Sequence, residues 1–318
     1  MKTYLRWLTS VVLIVDAAAV CRGADETDAV PAIRSEVIKS SVDGNEQKIR
    51  YFIPENLAEP APLFVLLHTW SGNVGQDSFV LVCAQECQRL GWVLIHPDFR
   101  GANVRPEACA SDLAVQDVVD AVQWIESITG IDTRRRYVAG ASGGGHMTLI
   151  MSGRHKKLWA AASAWVPISD LAAWHSESVA RKTNYALHLE QVCGGVPGMS
   201  AEVDAQYRHR SPLTHLAHAK GLPLDINAGI TDGHNGSVPI SHSLRAFNLL
   251  AELNGHREVQ FSPDEITTMT EQQMISPADR EAAPNEPDRA HPVLLRRVAG
   301  SARITIFDGG HEGDLVTA

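Results

Sequence analysis

The chain runs to 318 residues, room for two domains of about 150 residues or for one large α/β domain. Hydrophobic residues make up 44% and charged residues 20%, which provides a sizeable core and excludes the disordered classes. Lys and Arg number 28 against 37 Asp and Glu, a net charge of −9, which argues against a nucleic-acid or anionic-membrane binder needing a basic face. The first element is Lys2 and Arg6 followed by an apolar run over 7–20, short for a span of about 20 residues. Ala17-Ala18-Ala19 and Ala24 offer small residues for cleavage, so 1–24 reads as a signal peptide of an exported protein, leaving a single domain over 25–318. Asp16 interrupts the run, and Val20 before Cys21 is not the small residue a lipidation site wants.

Beyond it, strands and helices alternate. The spacing predicts strands over 48–53, 63–67, 92–95, 136–139, 159–166, 222–228 and 302–307. Several are continuous apolar runs, as expected of strands buried on both faces. Helices are expected over 76–90, ending at Gly91, and over 111–128 with Ser111 as N-cap. The pattern is α/β, a mostly parallel sheet with helices on both faces. Two stretches break the rhythm. Residues 168–221 are long for a connection and predict a cap over a site. Residues 262–292 hold five prolines, seven acidic residues and two arginines, and read as a solvated excursion with little structure.

The strongest local signal is Gly140-Ala-Ser142-Gly143-Gly144-Gly145-His146, a G-x-S-x-G turn after a strand and before a helical pattern. A nucleophile on such a turn has a strained backbone, so its neighbours must be small. A dinucleotide phosphate loop is the competing reading. It is disfavoured because the turn comes after several βα units rather than on the first, and because His146 stands where a glycine would be wanted. A serine hydroxyl needs a base, and the base an orienting carboxylate. Asp232 follows the strand over 222–228, and His311 follows the last strand in Gly309-Gly310-His311-Glu312-Gly313. The order Ser142, Asp232, His311 is the one this turn requires, and active sites of open α/β sheets lie at that strand edge. Asp308 is a second candidate acid, close in sequence to its base. His234 and Glu312 form no complete metal set. Gly143 supplies one oxyanion amide, and the loop His68-Thr69-Trp70-Ser71-Gly72 the other, with Trp70 the choice and Thr69 standing at the usual glycine position. Trp165, Trp174 and Arg100 are candidate substrate contacts. Among the cysteines, Cys109 and Cys193 lie in loop-like segments and are expected to be close, while Cys83 and Cys87 share a helix face.

These motifs, with Val238-Pro239 after the acid, resemble the α/β-hydrolase superfamily, and more narrowly the catalytic domain of the prolyl oligopeptidase (S9) type and related secreted esterases, over about residues 45–313. The resemblance implies an eight-stranded, mostly parallel sheet, the triad named above and a closing helix after the histidine. It also implies an N-terminal β-propeller in the peptidases, for which only about 45 residues are available, so an esterase is at least as plausible as a peptidase. The expected function is cleavage of an ester or peptide bond through an acyl-enzyme, with no cofactor and with a small-molecule, peptide or carbohydrate ester as substrate. A catalytically inactive hydrolase fold used for binding and a nucleotide-dependent oxidoreductase are the alternatives.

Overall fold

A computed structural model describes residues 30–58, 60–315 and 317 of the chain. The segment read as a signal peptide, and Cys21 with it, lies outside the described residues. Among the described residues the fold is built on one sheet of nine strands in the order β1-β2-β4-β3-β5-β6-β7-β9-β8. These are β1 Arg34–Lys39, β2 Glu46–Phe52, β3 Ala61–Leu67, β4 Val93–Pro97, β5 Ile131–Ala141, β6 Ala161–Trp165, β7 Leu224–Gly229, β8 Val293–Ala299 and β9 Ala302–Phe307. The strands from β4 to β9 pair in parallel, and both margins are antiparallel: β1 on β2, β2 on β4, and β8 on β9.

The sheet exceeds the implied eight strands by one. Neither β1 nor β8 is legible in the sequence, because both are margins. In β1 no residue is buried, and in β8 the run Val-Leu-Leu is broken by Arg296 and Arg297. The inner strands behave as their composition requires. Every residue of β3 and β4 is buried, because helices cover both faces. Leu63, Val65 and Leu67 of β3 belong to the core on one face, which α2 (Asp112–Ile128) and α3 (Gly143–Arg154) cover on this half of the sheet and α8 (Ser241–Asn254) covers over β7 and β9. Phe64 and Leu66, one residue out of phase, pack on the other against α1 (Asp77–Leu90). The helix ends follow local chemistry: Gly91 closes α1 in the left-handed conformation, and the Ser111 hydroxyl accepts from the Ala114 amide to start α2.

Residues 168–221 form a helical layer, with α4 Leu171–Ala180, α5 Tyr185–Cys193, α6 Ala201–Arg210 and α7 Pro212–His215. They share a core of their own, in which Leu171, Trp174, Leu189, Val192, Val203 and Tyr207 close over Trp70. The 262–292 stretch is more ordered than its composition suggests. It holds α9 (Pro263–Thr267), one turn of π-helix (Thr268–Gln272) and α10 (Pro277–Glu281), and α9 is started by a Ser262–Glu265 capping box. Among the described residues no helix is long and apolar enough to cross a membrane.

Candidate active site

Ser142 sits between the end of β5 and the first residue of α3, with φ +59° and ψ −117°. A left-handed backbone at a residue other than glycine costs about 1–3 kcal/mol and persists only where the surroundings enforce it. Here they do. The Ser142 amide donates to the Trp165 carbonyl at 2.9 Å, and the Ser142 carbonyl accepts from the His146 amide at 2.8 Å. The glycines explain how the neighbours come so close. A Cβ on Gly143 would lie 2.3 Å from the Trp70 nitrogen, and one on Gly144 2.3 Å from the Leu67 carbonyl oxygen. The turn and the loop after β3 therefore touch backbone to backbone.

Three strand ends bring three side chains together. His311 follows β9, and its Nε2 is 2.8 Å from Ser142 Oγ. Its Nδ1 is 2.8 Å from Asp232 Oδ2, and Asp232 follows β7. The other carboxylate oxygen, Oδ1, accepts from the Gly233 amide at 2.8 Å and the Val238 amide at 3.2 Å. Asp232 is only 2% exposed and His311 11%, so the charge is buried and fully hydrogen-bonded, as a buried carboxylate must be. With Nδ1 donating to Asp232, Nε2 is free to accept a proton from the serine.

The loop carrying Trp70 is fixed by side chains. The two ring nitrogens of His68 lie 2.9 Å from the Thr69 carbonyl and 2.7 Å from that of Asp98, and the ring stacks on Phe99 at 3.8 Å. Burial pushes the His68 ring below its ordinary basicity. The Thr69 amide donates to Gln76 Oε1 at 3.0 Å. Among the described residues the Trp70 amide donates to none, and it lies against Gly143. Gly143 in turn heads α3, where an amide has no carbonyl four residues back. Two unclaimed amides thus flank the serine, one from each element. His146 is buried, its Nε2 donates to the Arg210 carbonyl at 2.8 Å, and burial pulls its basicity down to about 4.

The proposed substrate contacts fare differently. Arg100 is not in the site. It is 5% exposed, and its guanidinium is saturated by Asp43, Asp117 and the Ser40 hydroxyl, an ion cluster joining the β1–β2 turn to α2. The Arg100 hydrogen bond holds the Asp43 carboxyl down at about 2. Trp165 is not a wall either. It is core, beside Phe307 at 5.8 Å with the Arg289 guanidinium 5.5 Å over its ring. Trp174 is near the site but 1% exposed. It meets Trp70 edge-on at 4.6 Å and stacks on Tyr185 at 4.8 Å. Asp308 is exposed, His234 donates to the Thr270 carbonyl, and Glu312 faces His291 at 3.0 Å. Cys109 and Cys193 share the cap core as free thiols, both raised by burial.

Sequence reasoning missed Gly236 and Gln76. A Cβ at Gly236 would stand 2.3 Å from Asp232 Oδ1 and 2.4 Å from the His311 Cβ, so the acid loop closes on the base only because the residue is glycine. The Asn235-Gly236-Ser237 turn chemistry was the available signal.

The mostly parallel sheet of nine described strands has the α/β-hydrolase fold, with a serine, a histidine and an aspartate in hydrogen-bonded series at its strand ends. The model of the prolyl oligopeptidase family of peptidases, S9, matches residues 84–267, and the chain belongs to that family. It is similar to acetylxylan esterase A of Emericella nidulans, 22% identical over 171 residues, covering 52% of this chain and 56% of that protein. Feruloyl esterase B of Talaromyces funiculosus is 24% identical over 121 residues, 36% of this chain and 34% of that protein. Among solved structures, the acylaminoacyl peptidase of Pyrococcus horikoshii superposes with a TM-score of 0.58 at 20% identity, covering 71% of this chain and 36% of the other. A puromycin-hydrolysing peptidase of Mycobacterium tuberculosis superposes with a TM-score of 0.56 at 22% identity, covering 72% and 35%. The matches thus span just over half of the first of these esterases and about a third of the peptidase chains.

Proposed function

We propose that this chain is an exported esterase that cleaves carboxylic esters through Ser142, His311 and Asp232. One observation carries the reading: a largely covered imidazole held at 2.8 Å from both a hydroxyl on a strained turn and a carboxylate. Ser142 Oγ attacks the ester carbonyl while His311 Nε2 takes its proton. The carbonyl oxygen, now negative, is held by the Gly143 and Trp70 amides. Asp232 keeps the imidazole in the tautomer that accepts at Nε2 and stabilises the imidazolium. His311 then returns the proton to the leaving alcohol, an acyl-serine remains, and water hydrolyses it by the same route. The residues named supply every proton transfer without a cofactor.

The esterase names among the relatives support an acyl group borne on a plant polysaccharide, and the signal-like start of the sequence supports export. The family and its solved members favour a second reading, hydrolysis of an acylated or short peptide amide. The test is reaction with a fluorophosphonate probe and turnover of nitrophenyl acetate, with methyl ferulate and an acylaminoacyl nitroanilide in parallel. Labelling and ester turnover are expected in the parent, with turnover falling about 10⁴-fold or more and labelling lost in Ser142→Ala. A folded parent that takes no label overturns the triad. Faster cleavage of the anilide replaces the esterase with the peptidase.

A further inference from the structure

We infer that Arg181 and Trp174 are positioning residues that hold the acid loop, and through it the base, in working geometry. The inference rests on the triad reading above. The loop between β7 and α8 places Gly233 and Val238 so that their amides bond Asp232 Oδ1. Gly236 lies against both Asp232 and His311. The stretch between them has little internal support. Among the described residues neither the Gly236 nor the Ser237 amide donates to a partner within the loop. Their two carbonyls are taken from outside. The Trp174 indole N–H donates to the Ser237 carbonyl at 2.9 Å. The Arg181 guanidinium donates to that carbonyl at 3.1 Å and also to the Gly236 carbonyl.

The clamp stands on a hydrogen-bonded base. Asp170 caps α4 through the Ala172 and Ala173 amides. The Ser169 hydroxyl donates to the His242 carbonyl at 2.8 Å, and His242 Nε2 donates to Glu177 of α4 at 2.9 Å. Arg181, directly after α4, pairs with no carboxylate among the described residues, so its donors are committed to the two loop carbonyls. Charge-assisted bonds of this kind are about twice as strong as neutral ones. Trp174 does more than bond the acid loop, since its ring also meets Trp70, which lies beside Gly143, in a T-shaped contact. One cap helix thus braces both loops that flank the serine. A reacting group displaced by about 1 Å costs about 10²-fold in rate even when the disturbance is remote.

The experiment uses Arg181→Ala, Arg181→Lys and Trp174→Phe in the full chain, with Ser142→Ala beside them. Nitrophenyl acetate turnover is expressed per site titrated with fluorophosphonate, which removes any loss of folded protein from kcat. Arg181→Ala is expected to lower kcat about 10–100-fold with KM changed less than about twofold, because the loop is disturbed and the substrate surface is not. Arg181→Lys restores part of the loss, since an ammonium reaches one carbonyl but not both. Trp174→Phe keeps the stack and removes one donor, so it lowers kcat by less. It also decides the matter if Arg181→Ala does not fold. Parental kcat per site in Arg181→Ala, or in Trp174→Phe if that variant has to decide, overturns the clamp, as does a rise in KM alone. Parental turnover in Ser142→Ala overturns the triad reading and this inference together, and is recognised by that control alone.

Discussion

Residues 168–221 and 262–292 both interrupt the strand–helix alternation, and they are made of opposite materials. The first buries a core of its own around Trp174, Leu189 and Tyr207 and reaches the serine neighbourhood through Trp70 and the acid loop. The second sends Met269 and Ile275 into the core of the sheet and is otherwise pinned from its polar side. Glu286 is held by Arg296 and Arg289, and Glu265 by Arg297, whose guanidinium also lies 4.0 Å over Phe261. The difference lies in what each can transmit. A packed apolar layer moves as a unit, so a change inside it reaches the site, whereas ion pairs whose carboxylates are about one third exposed give locally and are partly screened.

The sharpest way to break this comparison is Trp174→Ala. Removing a fully buried indole from the cap core is expected to cost about 3–5 kcal/mol, read as a lowered midpoint in denaturant. A loss below about 1 kcal/mol would mean that the cap has no core of its own. Acid is a second lever. His146 donates to Arg210 at the end of α6 and is held neutral by burial, from an ordinary 6.5 down to about 4. The unfolded chain therefore binds more protons than the folded one between those values. Stability is full above about 6.5 and is lost as the pH falls toward 4. His96, also buried and lowered to about 4, acts in the same direction. Melting midpoints taken across this window should fall, and His146→Asn should flatten the decline. An unchanged slope in that variant would detach His146 from the cap's stability. The smallest effect belongs to the excursion. Bonding to Arg296 holds the Glu286 carboxyl down from 4.5 to about 2. Its contribution is present above about 4.5 and lost as the pH falls toward 2, a lower window than that of the histidine. Glu286→Gln should cost no more than about 1 kcal/mol at neutral pH and leave ester turnover unchanged. A fall in turnover would make the excursion part of the machinery.

Sequence legibility followed the same divide between backbone rule and distant contact. That Ser142, Asp232 and His311 meet at one strand edge was readable because each sits a few residues past an apolar run that reads as an inner strand. The choice of Trp70 over Thr69 was readable only in part, since the claim of Gln76 on the Thr69 amide is a contact across seven residues of loop. Arg100 misled because a lone cation after a strand looks available. Its partners Asp43 and Asp117 stand 57 and 17 residues away. Trp165 misled because an aromatic at a strand end can face either solvent or core, and here Phe307 and Arg289 cover it. The link from Arg181 to Gly236 spans 55 residues and has no local signature at all.

The contact between the serine turn and the loop after β3 also decides where this enzyme can be reshaped. At Gly143 and Gly144 the atoms a new side chain would strike are the Trp70 nitrogen and the Leu67 carbonyl, main-chain atoms that no second substitution can shrink. Randomised libraries at these positions would return dead clones whatever accompanied them. In α4 and α5 the neighbours are side chains, such as Tyr185 against Trp174, and a loss at one position can be met by a change at the next. Selection for a new acyl group would find its compensating pairs there.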